Sequence, residues 1–119
     1  MKIVWESPVS SCAFIKDVEF VINLGHSCSL NFEYEDENDN IVKCEIKFLG
    51  VEAFKCTYMT SISSFQRNSY DNIVSFSDSA FLKETINEYK GNLKLIHFMC
   101  RFDDSSCFDI IASDFEIHN

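Results

Sequence analysis

The sequence predicts an α+β fold: a mainly antiparallel β-sheet of about six to seven strands, with a helical segment inserted before a C-terminal β-hairpin. Three observations carry this. Residues 28–35 and 41–49 alternate apolar and polar side chains with period two, the signature of a half-buried strand. Between 64 and 90 the apolar residues recur at three- and four-residue steps, the period of a helix face. From Leu93 the alternation returns.

The chain has 119 residues, of which 46% are hydrophobic and 12 are Phe. That suits one core and one domain over 1–119. Three Gly and one Pro leave little material for a long linker, and no internal repeat or low-complexity tract is present.

Lys2–Glu6 reads as a short first strand. Asp17–Leu24, apolar at Val18, Phe20 and Ile22, ends at Gly25, and His26 falls in the turn. Cys28–Glu35 turns Cys28, Leu30, Phe32 and Tyr34 inward, and Ile41–Leu49 does the same with Val42, Cys44, Ile46 and Phe48. Between them Asp36, Glu37, Asn38, Asp39 and Asn40 form a turn, because Asn and Asp tolerate left-handed backbone and bond to their own main chain. Glu52–Thr60 is a fifth strand after the Gly50 break. Tyr70, Ile73 and Val74 predict a helix near 66–75; Phe81, Leu82, Ile86 and Tyr89 predict a second near 79–89. Ser77 and Asp78 are its candidate N-caps, and Gly91 its left-handed stop. In Leu93–Phe102, Ile96, Phe98, Cys100 and Phe102 share one face while Leu95, His97, Met99 and Arg101 share the other. Cys107–Ala112 closes the hairpin, with Asp114–Ile117 extending it.

The net charge is −9 and the sequence pI about 4.6. With no Lys/Arg cluster to neutralise phosphates, direct nucleic-acid binding is not expected. The N-terminus lacks the uninterrupted apolar stretch of a secretory signal, and no run approaches membrane-spanning length, so a soluble cytoplasmic protein is expected. The six cysteines are then expected as reduced thiols, most of them core residues, since Cys28, Cys44, Cys56 and Cys100 lie in phase with apolar strand faces.

The charge is unevenly distributed. Residues 33–39 carry five acids and no base, and residues 103–119 carry another five, which leaves the remaining positions near neutral against the total of −9. The first cluster is not an EF-hand: with Asp36 as position one, the sixth position is Ile41 where Gly is needed. A solvated hairpin tip is expected instead, and neither a metal nor a cofactor. If the two acidic segments share a side, they form a negative face suited to a basic protein. Its contact residues would be Glu33, Glu35, Asp36, Glu37, Asp39, Asp103 and Asp104.

A second constellation lies on the final hairpin. His97 and Arg101 share a strand face, and Asp109 comes from the facing strand. A carboxylate beside a His suits general-base chemistry, but a cross-strand ion pair on an exposed sheet face explains the same residues. Cys107, among acids, is not expected to be a reactive thiol. No phosphate loop, G-x-S-x-G or H-E-x-x-H occurs, so the expectation is that the protein is not an enzyme. Leu95, Met99 and Ile111 among these charges predict either a homodimer patch or the underside of a helix.

The stretches GVEAFKCTYMTS (Gly50–Ser61), SYDNIVSFSDSAFLKE (Ser69–Glu84) and LKLIHFMCRFDDSSCFDIIASDFEI (Leu93–Ile117) resemble a group of small uncharacterised bacterial proteins. These share a YD-x-x-(V/L) helix, a DS-x-(W/F)-L helix start and a closing hairpin with H-(Y/F), F-D-D and C-(Y/F)-(E/D). Here Phe81 stands in the place of Trp and Asp109 in the place of Glu. The resemblance covers about the last seventy residues and extends in size and charge to immunity proteins of bacterial toxin systems. It implies a binding protein that caps a basic, nuclease-like toxin domain. The alternatives are a small-ligand or enzymatic domain around His97, Arg101 and Asp109, and a structural or oligomer-forming module.

Overall fold

The computed structural model describes residues 1–23 and 25–119. The fold is α+β, with nine strands and one α-helix among the described residues. The strands are β1 (Lys2–Glu6), β2 (Glu19–Asn23), β3 (Ser27–Glu35), β4 (Ile41–Leu49), β5 (Ala53–Thr57), β6 (Asn72–Phe76), β7 (Ile96–Arg101), β8 (Cys107–Ala112) and β9 (Asp114–His118), with α1 (Ala80–Glu88) between β6 and β7. They form two antiparallel sheets: five strands in the order β1-β6-β7-β8-β5, and four in the order β2-β3-β4-β9.

The two sheets pack face to face. Cys28, Leu30 and Phe32 of β3 and Cys44, Ile46 and Phe48 of β4 meet Phe98, Cys100 and Phe102 from the β7 side and Phe108, Ile110 and Ala112 of β8. The ring contacts Phe48–Phe98 (5.7 Å) and Phe32–Phe102 (5.6 Å) cross the interface. The outer face of the larger sheet is covered as well. Leu82 of α1 packs on Leu95 and Ile111, and Ile62 on Val74, Phe76, Met99 and Cys107. The molecule therefore has three layers, with β7 and β8 buried on both faces. The smaller sheet leaves its outer face, with Glu19, Lys43 and Glu116, to solvent.

This burial explains the main departures from expectation. The strand count rises to nine because 72–76 and 114–118 are strands of their own. No helix forms at 66–75. Gln66–Ser69 is one 3₁₀ turn, and Asn72–Phe76 is a strand between β1 and β7. Ile73 faces the sandwich and Val74 the helix layer. A strand buried on both sides reads as a continuous apolar run, which its sequence shares with a buried helix. Asp114–Ile117 does not extend β8. The chain bends at Ser113, whose N–H and Oγ both donate to the Leu49 carbonyl (2.9 and 3.0 Å), and β9 joins β4 in the other sheet. The second strand runs Glu19–Asn23, and the expected end at Leu24 lies outside the described residues.

The helix begins one residue later than its candidate caps. Ser79 is the N-cap, accepting from the Leu82 N–H at 3.2 Å. It ends at Tyr89 in extended backbone rather than at a left-handed Gly91. Gly91 is required for another reason: the Tyr89 ring folds back over it, receives the Leu93 N–H at its hydroxyl (3.0 Å), and fills the space of a Cβ. Gly50 is left-handed (φ +63°), and a Cβ there would meet Ser113 Oγ at 2.5 Å. Gly50→Ala should therefore lower unfolding stability by about 1–3 kcal/mol, the range for a strained left-handed residue, as measured by urea titration.

Cys28, Cys44, Cys100 and Cys107 are buried free thiols, whereas Cys12 and Cys56 are exposed. Cys56 has the expected phase, but β5 is an edge strand, and Phe54 and Tyr58 are exposed with it. Burial pushes the Cys28 and Cys107 thiols up to about 12, Cys44 to about 11, and Cys100 well above its ordinary value. Since the thiolate is the nucleophile, a disulfide reagent should modify Cys12 and Cys56 rapidly in the native protein and the other four only after unfolding.

Candidate functional site

The acidic residues are arranged by two hairpin tips. The β3–β4 tip folds as an Asp-centred turn: Asp36 Oδ1 accepts the N–H groups of Asn38 and Asn40 (both 2.9 Å), its N–H donates to the Asn40 carbonyl (2.9 Å), and Asp39 takes φ 60°. The β7–β8 turn carries Asp103 and Asp104, the latter at φ 51°. Strands β3 and β7 run toward the same end of the sandwich, since Phe48 (opposite Cys28) packs on Phe98 and Phe32 on Phe102. The segment between β1 and β2 ties the two tips together. Ser11 Oγ accepts the Asp103 N–H at 2.7 Å, and the Ile15 N–H donates to the Glu33 carbonyl at 2.8 Å. Phe14 stacks on Phe32 at 4.4 Å and contacts Phe102 at 5.6 Å beneath them.

The seven acids differ in how free they are. Glu33 is ion-paired with Lys16 (2.9 Å) and faces Lys43 across the strands. The Lys16 hydrogen bond holds its carboxyl below the usual range, so whatever the pair adds to stability is lost as pH falls through the lowered value. Asp36 is committed to its turn, and Asp103 accepts the Tyr70 hydroxyl at 3.1 Å. Glu35, Glu37, Asp39 and Asp104 are exposed and enter none of the ion pairs among the described residues. Asp17, which the sequence pattern left inside a strand, joins Asp103, Asp104 and Lys16 around a small crevice. The other C-terminal acids lie elsewhere: Asp109 is buried, and Asp114 and Glu116 belong to β9.

The second constellation is not on an exposed face. His97 and Asp109 are each 3% exposed, beneath α1 and the 59–69 turns. Leu95, Met99 and Ile111 are buried with them, so they are the underside of the helix layer and not a homodimer patch. His97 and Asp109 are diagonal neighbours across β7 and β8, with His97 Nε2 2.7 Å from Asp109 Oδ1. Arg101 does not join them; its guanidinium lies over the Tyr70 ring, 5.1 Å from the centroid. Two residues that the sequence did not single out take its place. Ser79 Oγ is 2.6 Å from His97 Nδ1, and Gln66 Nε2 donates to Asp109 Oδ2 at 2.9 Å. The hydrogen-bonded chain borders a cleft of about 610 Å³ between the large sheet, the start of α1 and the 59–69 turns.

No group of three or more His, Cys, Asp or Glu side chains among the described residues is disposed to hold a metal ion. None of their helices is long and apolar enough to cross a membrane. Comparisons with protein-family models, with curated proteins and with solved structures find no match for this chain.

Proposed function

We propose that this chain is a cytoplasmic binding protein of the immunity type, whose acidic end docks on a basic protein surface such as the substrate groove of a nuclease-like toxin domain. The observation that carries this reading is the hydrogen-bonded segment 11–15, which fixes both acidic tips at one end and leaves Glu35, Glu37, Asp39 and Asp104 unpaired in solvent. Unpaired acids held on a rigid frame lose little freedom on binding and present a coherent negative potential, which speeds encounter with a basic partner and repels acidic ones. The internal pairing of Glu33, Asp36 and Asp103 gives them a supporting role: they shape the tips that carry the free carboxylates.

Affinity capture from the native host's lysate at low salt tests this reading, with the wild type beside the variant Glu35→Lys/Glu37→Lys/Asp39→Lys/Asp104→Lys. The expected result is a basic protein retained by the wild type, released as salt rises, and not retained by the variant. Equal retention by both, or no retained protein, contradicts it. The variant itself should fold normally, because surface substitutions of this kind usually change stability by no more than about 0.5 kcal/mol each.

A further inference from the structure

We infer that Ser79, His97 and Asp109 form a hydrolytic site at the floor of the 59–69 cleft, one that cleaves small carboxylic esters bearing a negatively charged group. The hydrogen-bond roles follow from the partners. Ser79 Oγ accepts the Leu82 N–H at 3.2 Å, so its own hydrogen is free to point at His97 Nδ1, 2.6 Å away. Nδ1 is then the acceptor, and Nε2–H donates to Asp109 Oδ1 at 2.7 Å. A nucleophile, a base and a carboxylate that orients the base are thus in line. The two ring nitrogens are exchanged relative to the chymotrypsin arrangement, which the same roles permit.

Three further features suit this chemistry. The orienting carboxylate is fixed from behind by Gln66, whose Nε2 also donates to Thr57 Oγ1 (3.0 Å) and whose Oε1 accepts the Ser63 N–H (3.0 Å). Ser79 sits at the N-cap of α1, so the N–H groups of Ala80 and Phe81, which lack intrahelical partners, lie at the helix start beside the nucleophile, where they can face a developing oxyanion. The cleft opens beside Ser79 with a volume of about 610 Å³, the size of a small-molecule site. A helix cap needs only the serine. A buried His–Asp pair behind it is a costly addition that stability alone does not favour.

The cleft walls define the substrate class. Phe65 and Phe81 offer apolar surface for the acyl group. Lys55, whose Nζ lies 4.9 Å from the Phe81 ring centroid, supplies a cation at the mouth, and among the described residues the only acid lining the cleft is the already bonded Asp109. In the reaction, Ser79 Oγ attacks the ester carbonyl and its proton passes to His97 Nδ1. The carbon–oxygen bond to the leaving group breaks, and the same proton goes to the departing alkoxide, leaving an acyl-serine and an alcohol. Water then adds to the acyl-serine, giving its proton to His97. Collapse releases the carboxylic acid and returns that proton to Ser79 Oγ. Asp109 and Gln66 are positioning residues throughout.

The test is active-site labelling with a fluorophosphonate probe, read by intact mass and peptide mapping, followed by turnover of p-nitrophenyl acetate and of an anionic p-nitrophenyl hemisuccinate. The wild type should be labelled once, at Ser79, and His97→Gln at least about 100-fold more slowly, the usual contribution of a general base. Asp109→Asn, which keeps the shape of the side chain, should slow labelling while circular dichroism reports a native fold. Lys55→Gln should abolish the preference for the hemisuccinate, lowering its kcat/KM relative to that of the acetate ester. The acidic-tip variant should label like the wild type, so this inference stands or falls separately from partner binding. Absence of label on Ser79 in folded wild-type protein, or labelling of His97→Gln at the wild-type rate, overturns it.

Discussion

Asp109→Ala is expected to lower the unfolding free energy by about 2–6 kcal/mol, about 1–3 kcal/mol for each of two buried donors left without an acceptor. The carboxylate is 3% exposed and receives His97 Nε2–H and Gln66 Nε2–H on its two oxygens. Its removal leaves both donors without an acceptor at the buried floor of the cleft, and each such group keeps its desolvation cost. The effect should extend to the helix, because His97 also holds the N-cap Ser79. Asp109→Asn should cost less, since one oxygen still accepts. The double substitution His97→Leu/Asp109→Leu should recover part of the loss, because apolar residues of similar volume remove the unmet donor along with the acceptor. Urea titrations of the three variants check this ordering; a loss below about 1 kcal/mol for Asp109→Ala would mean that water or a neighbour replaces the carboxylate.

Phe102→Ala should be comparably damaging, at about 3–5 kcal/mol for a large side chain deleted from a filled core. Phe102 is fully buried and touches the rings of Trp5, Phe14 and Phe32, so it joins β1, the 11–15 segment and β3 at the acidic end. The residue therefore has two duties. It stabilises the sandwich, and it fixes the position of Asp103 and Asp104 relative to the β3–β4 tip. Partner affinity should fall along with stability, whereas Phe48→Ala, at the other end of the interface beside Phe98, should reduce stability with less effect on affinity. Thermal unfolding and binding measured on both variants separate the two duties.

The sequence made the one-face-buried strands legible and the two-face-buried ones obscure. Strands β3 and β4 alternate cleanly because one side of each meets the core and the other meets water. Strand β6 does not, because Ile73 and Val74 are buried on opposite faces, and its apolar spacing imitates a helix. The alternation in β7 carries the right phase, but His97 and Arg101 imitate an exposed face that α1 and the 59–69 turns in fact cover. The site followed the same rule. The diagonal pairing of His97 with Asp109 was readable from strand phase. Ser79 and Gln66 reach that pair from a separate layer, 18 residues before His97 and 43 before Asp109, and no local spacing encodes such a meeting. Likewise the acidity of each tip was plain in the sequence, whereas their convergence depends on Ser11 and Ile15, two residues with no charge to draw attention.

The most direct test of partner binding through the acidic end is titration calorimetry of the captured partner against the wild type and the four-lysine variant, repeated across a range of salt. The expected result is a wild-type association constant that falls steadily as salt rises, and a variant at least about tenfold weaker at low salt, a difference of about 1.4 kcal/mol. An affinity indifferent to both salt and the four substitutions would contradict it and move the contact surface away from the tips.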